Sequence, residues 1–180
     1  MTLRVDPIIP GSRPELAQQE AQILAERGRI SPLYQILLNS PPIAHGWEQM
    51  LSAVRNRSSL TAELRELVIL RVAVLNRAPY EFDAHLPIAK AAGLSDAAVE
   101  AVQQLVPLDP TVWTARQQLA IKITDAMTKT LEVSDDLYQE VRAHFDAQGQ
   151  IDLVATIAAY NMVARFLGAF QITPDGEPPR

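Results

Sequence analysis

The sequence predicts an all-α protein, a bundle of helices around one hydrophobic core. Three observations carry this. Hydrophobic residues make up 48% and charged residues 21% of the 180-residue chain, the balance of a folded globular domain. Ala, Leu, Gln, Glu and Arg dominate between the two ends, and alternating strand-type runs are scarce. Prolines and capping residues recur between the helical stretches, where they act as punctuation. One domain is expected at this length, with enough chain to bury a sizeable core.

Residues 1–13, with Pro7, Pro10 and Gly11, read as an extended N-terminal arm. Residues 14–173 read as a single helical domain and 174–180 as a flexible tail. Helices are expected at 14–27, 31–38, 41–56, 61–77, 80–92, 95–105, 110–129, 134–147 and 150–169. Thr61, Ser95 and Ser134 stand where a side-chain oxygen can accept from an orphan N–H of the first turn. Asp109-Pro110 offers a cap followed by proline at the first helical position. Gly93 stands where a helix ends in a left-handed residue.

Two helices stand out. Residues 61–77 read TAELRELVILRVAVLNR, apolar on every side from Leu67 to Leu75 except at Arg71. A helix apolar all round is a buried, central one. Residues 151–170, IDLVATIAAYNMVARFLGAF, are nearly as apolar, and the two are expected to pack together at the middle of the bundle. Their polar members Glu66, Arg71, Asn76, Tyr160, Asn161 and Arg165 are then informative, because a buried charge must be paired.

Composition excludes several classes of function. The chain has no cysteine, which removes disulfides, thiolate metal sites, cysteine nucleophiles and thiol redox chemistry. A net charge of -5 and the lack of a basic run argue against nucleic-acid binding. The densest apolar stretch, Leu67 to Leu75, falls short of the roughly 20 residues of a membrane span. The start, MTLRVDPIIPG, has no apolar region of secretory length, so a cytoplasmic protein without a membrane partner is expected. Three scattered histidines lack metal-ligand spacing, and there is neither a Gly-rich phosphate loop nor a G-x-S-x-G elbow.

Residues 78–85, APYEFDAH, hold the densest chemistry. Pro79 cannot continue the preceding helix and suits the first turn of the next. Glu81 and His85 then lie one turn apart on one face. A carboxylate there can hold the imidazole's tautomer for proton transfer near neutral pH. The same spacing also fits a plain surface ion pair. Glu66 is either a desolvated acid or base or a glutamate stabilised by the helix dipole and an arginine such as Arg65. His45 fits packing better than a pocket, and His144 a solvated face. Trp47, Tyr80 and Phe82 fit the core better than a ligand platform.

The stretch LTAELRELVILRVAVLNRAPYEFDAHLPIAKAAGLSDAAVEAV resembles the core motif of the carboxymuconolactone decarboxylase and alkylhydroperoxidase D-like (AhpD-like) superfamily. The later YNMVARFLGAF resembles the closing helix of one branch, so the likeness spans roughly residues 40–170. It implies an all-α, AhpD-like helical bundle of about eight or nine helices and homo-oligomers, trimers or hexamers. In the thiol peroxidase branch a glutamate is followed by cysteines twelve and fifteen residues on and a histidine nineteen on. From Glu66 these offsets reach Ala78, Glu81 and His85, so glutamate and histidine are kept and both thiols are lost. A thiol peroxidase mechanism then has no nucleophile.

The decarboxylase branch needs no thiol, metal or organic cofactor. Its reaction on an unsaturated, carboxylated lactone asks for a cationic contact, an apolar pocket and a proton donor. By that resemblance His85 is the proton donor or acceptor, Glu81 orients it and Glu66 is a buried relay carboxylate. Arg71 or Arg165 would hold a substrate carboxylate, while Tyr80 and Trp47 would line the pocket. The expected activity is a cofactor-independent lyase or isomerase acting on a small carboxylated or enolisable compound, as in aromatic catabolism. Two other readings stand beside it: a non-catalytic helical oligomer binding a small hydrophobic ligand, and peroxide handling through an external thiol.

Overall fold

The computed structural model describes residues 4–104 and 110–174. Among the described residues there are nine α-helices and no strand. They are α1 (Ala17–Arg27), α2 (Pro32–Leu37), α3 (Pro41–Asn56), α4 (Ala62–Leu75), α5 (Pro79–Ala91), α6 (Asp96–Val102), α7 (Ala115–Lys129), α8 (Asp135–His144) and α9 (Ala147–Phe170). The chain divides into two compact units, Met1–Arg57 with Phe166–Arg180, and Ser58–Arg165.

In the first unit α3 packs against α1 and α2. Gly28, with φ 73°, ends α1 in the left-handed region that glycine adopts without steric cost. The apolar core includes Ile23, Leu37, Leu38 and Leu51. A polar cluster sits within it. Arg27 Nε donates to both oxygens of Glu48, at 3.2 and 3.0 Å, and Arg27 Nη2 donates to Ser52 Oγ at 3.2 Å. The hydroxyls of Tyr34 and Ser52 also donate to Glu48. Burial, then the Glu48 hydrogen bond, pushes the Tyr34 phenol above its ordinary range. Glu48 is thus a buried anion whose acceptor sites are filled from three helices. The arm is tied down: Ile8 is buried and donates its N–H to Gln35 O at 3.0 Å.

The second unit is built on α4. Leu67, Val68, Ile69, Leu70 and Val72 are wholly buried, as expected of a helix apolar on all sides. Thr61 caps it by accepting from Leu64 N–H at 3.3 Å. α4 packs on α5 and α7. It meets α9 through side chains, with Asn76 Nδ2 donating to Asn161 Oδ1 at 3.0 Å. Arg77, with φ 53°, turns the chain between α4 and α5, and Pro79 opens α5. Gly93 (φ 106°) closes the α5 end, with Leu94 N–H on Ala89 O at 3.0 Å.

Ser95 and Ser134 cap α6 and α8 as their sequence positions indicate. The expected helix at 110–129 begins later. Pro110–Val112 is a 3-10 turn, and α7 starts at Ala115 behind a reciprocal cap of Thr114 and Gln117. Asp109 of the expected Asp109-Pro110 cap lies outside the described residues. The expected helix at 134–147 ends at His144, and α9 starts at Ala147 with Asp146 Oδ1 accepting from Gly149 N–H at 2.8 Å. By length and composition α9 is also long and apolar enough to cross a membrane. Leu153, Ile157 and Tyr160 on it are buried in this unit.

Candidate functional site

Glu66 stands in the second turn of α4 and His85 in the middle of α5, both buried. Because α4 and α5 are joined by a short turn and packed together, residues 19 apart in sequence meet: His85 Nδ1 lies 2.7 Å from Glu66 Oε2. In this bond a carboxylate oxygen of Glu66 accepts when Nδ1 carries the proton. Tyr160 of α9 meets the imidazole edge-on, with ring centroids 5.0 Å apart and planes at 87°. Three helices therefore fix the orientation of one imidazole.

Glu81 does not orient His85, contrary to the role that spacing and resemblance gave it. Neither of its carboxyl oxygens has a hydrogen-bond partner, although the side chain is 2% exposed. The alternative of a surface ion pair fails with it, since both residues are buried. Burial pushes the Glu81 carboxyl well above the ordinary carboxylate range, which favours the neutral acid. One turn of helix thus separates a carboxyl that burial biases toward its neutral form from an imidazole held by a different carboxyl group.

The two arginines expected to bind substrate are engaged elsewhere. Arg71 is 1% exposed. Its Nε and Nη2 make a forked pair with Asp125 at 2.6 and 2.7 Å, and Nη1 donates to the carbonyls of Val102 and Gln104 at 2.8 and 2.6 Å. Burial alone would raise the Asp125 carboxyl, but hydrogen bonds from Arg71 and Lys129 outweigh it and hold the group below its ordinary value. Arg165 is exposed, its Nη1 donating to Asn161 O and Oδ1 at 2.9 and 2.7 Å. Tyr80 is half-buried on α5. Trp47 belongs to the first unit, where its indole packs on Phe166 with centroids 5.0 Å apart. His45 and His144 are exposed. Among the described residues no three of His, Asp and Glu converge as metal ligands.

Of two neighbours of the pair, the sequence gives Tyr160 no site role and Arg65 only that of an ion-pair partner for Glu66, which the structure shows. Tyr160 was conspicuous as a polar group in an apolar helix, but its contact with His85 depends on tertiary packing. Arg65, next to Glu66, brings its Nε to 3.6 Å from Glu66 Oε1, too long for a hydrogen bond.

Comparison with known proteins agrees with this fold and motif. The model of the carboxymuconolactone decarboxylase family matches residues 41–126. The uncharacterized protein YnjA of Escherichia coli is 31% identical over 125 residues, which is 68% of this chain and 66% of YnjA, so about two thirds of that relative is spanned. An uncharacterized peroxidase-related protein from Ralstonia eutropha JMP134, described as an alkylhydroperoxidase AhpD core, superposes with a TM-score of 0.80 at 17% identity over 100% of this chain and 99% of that one. A variant of the debrominase Bmp8 in complex with 2,3,4-tribromopyrrole superposes with a TM-score of 0.77 at 15% identity, over 95% of this chain and 91% of that one. At these identities the two structures bear on fold alone. The chain is thus similar to the carboxymuconolactone decarboxylase family over residues 41–126, the segment that carries the motif, in an all-helical AhpD-like fold that here contains no cysteine.

Proposed function

We propose that the protein is a cofactor-independent lyase or isomerase that applies acid–base chemistry to a small carboxylated lactone or enolisable acid, and that it works in the cytoplasm as a homo-oligomer. The observation that carries this reading is the buried Glu66–His85 pair, at 2.7 Å, with the buried, unpartnered Glu81 carboxyl one helical turn from His85. In an isomerisation His85 Nε2 removes a proton from the carbon next to a carbonyl, and that C–H electron pair becomes the enolate. Glu66 stabilises the imidazolium formed. Glu81 then donates its proton to the far carbon of the extended enolate, and the imidazolium restores the proton to Glu81 through substrate or solvent. In a decarboxylation the C–C bond to the carboxylate breaks, carbon dioxide leaves, and the pair left behind is protonated by the same acid.

Deuterium exchange tests this directly. Butenolide acids and enolisable keto acids incubated in heavy water should lose their α-proton signal in the presence of wild-type protein, and His85→Ala should exchange at least roughly 100-fold more slowly. Equal rates for the two proteins would remove His85 from the mechanism.

A second reading is favoured by one specific feature. Ile151, at 70% exposure, and Met162, at 39%, lie on the outer side of α9, an apolar surface suited to a neighbouring copy. On this reading the outer face of α9 is where one copy of the chain meets another. Sedimentation of wild type and of Ile151→Glu separates assembly from catalysis, because the substitution would dissociate the oligomer without touching His85.

A further inference from the structure

Arg65 is the remaining arginine beside the acid–base pair. Arg71 spends its donors on Asp125 and two carbonyls, and Arg165 is turned to Asn161. Arg65 Nε, by contrast, is buried without any hydrogen-bond partner. Its nearest acidic oxygen, Glu66 Oε1, is 3.6 Å away, while the other oxygen of Glu66 is taken by His85. Native proteins rarely leave a buried charged donor unsatisfied unless something else occupies it in the working state. The Arg65 side chain is 14% exposed against 1% for Glu66, so it is the member of this group that reaches outward.

We infer that Arg65 binds the carboxylate of a small organic acid and holds it beside the Glu66–His85 pair. This rests on reading that pair as a substrate site. The guanidinium is a planar fork that matches a carboxylate in two parallel bonds, and Nε–H is one tine of that fork. Electrostatics agree. Burial favours the uncharged form of Glu81, which leaves Glu66 as the acidic neighbour of the Arg65 cation that an incoming carboxylate would meet. A neutral analogue of the same shape gains none of this.

The test uses benzoate and 2-furoate against benzamide and 2-furamide, by calorimetry and by the NMR signal of the Arg65 Nε–H. The acids should bind and shift that signal, and the amides should not. Arg65→Gln should bind the acids roughly 10- to 100-fold more weakly, the range for a charge-assisted contact. Arg65→Lys keeps the charge but loses the fork, and should fall between. Circular dichroism checks that each variant is folded. If Arg65→Gln does not fold, Arg65→Lys decides, and unchanged affinity in it overturns the inference. Equal affinity of acids and amides, no measurable binding of either acid, or wild-type affinity in Arg65→Gln also overturns it. His85→Ala separates this outcome from that of the proposed function. It should lose deuterium exchange, whereas acid binding is read on wild type and the Arg65 variants. If it exchanges normally, the proton-transfer reading falls while carboxylate binding at Arg65 stands.

Discussion

Truncating Arg71 to alanine should cost about 4 kcal/mol of folding stability, within the range of about 3–5 for removing one partner of a buried ion pair. The structure sets where in that range the loss falls. Arg71 is 1% exposed and forms a forked pair with Asp125. Its loss also strands the buried carbonyl of Val102, which adds about 1–3 kcal/mol. Two features moderate the cost. Asp125 keeps Lys129 Nζ at 2.7 Å and is 23% exposed, so it is partly rehydrated. The carbonyl of Gln104, on an exposed residue, can also take up water. For a chain of this size the midpoint should drop by about 8–16 °C. Thermal and urea melts followed by circular dichroism measure it, with Arg165→Ala as the reference. Arg165 is exposed and bonded only within its own helix turn, so its removal should stay within about 0.5 kcal/mol. If the two variants melted together, the claim that Arg71 is a structural clamp would be refuted.

Two further outcomes follow from the same geometry. Burial raises the Glu81 carboxyl, so the folded protein holds that proton more tightly than the unfolded chain does. Its contribution is full below the ordinary carboxylate value and declines by about 1.4 kcal/mol per pH unit as pH climbs toward the raised value. Glu81→Gln should lack this decline and gain on wild type as pH rises; urea melts across the range check it, and parallel profiles would count against a neutral Glu81. Thr114→Ala removes one side of the reciprocal cap on α7 and should cost about 1 kcal/mol, read from the urea midpoint.

What could be read from the sequence was mostly local. The caps at Thr61, Ser95 and Ser134 are visible because a capping oxygen and its N–H lie within a few residues. The buried character of α4 is visible because no face of it is polar. Pro110 opens only a 3-10 turn, and α7 starts behind Thr114 and Gln117, whose capping pattern is local and so present in the sequence. In the site, the spacing of Glu66 and His85 marked both residues, while their contact arises from the packing of α4 on α5. Glu81 was misjudged because helical spacing sets which residues share a face, not which oxygen reaches which nitrogen. Arg71 was misjudged because its partner, Asp125, lies 54 residues away on another helix.

The Arg27–Glu48–Tyr34–Ser52 cluster has a consequence for how this lineage can change. Each member satisfies Glu48, so replacing any one alone strands a buried charge or donor, whereas exchanging the whole set for apolar side chains of similar bulk leaves nothing stranded. Such a group is inherited or lost together. Among descendants of this protein the four positions should therefore co-vary, and homologues should divide into those that keep all four polar residues and those that keep none.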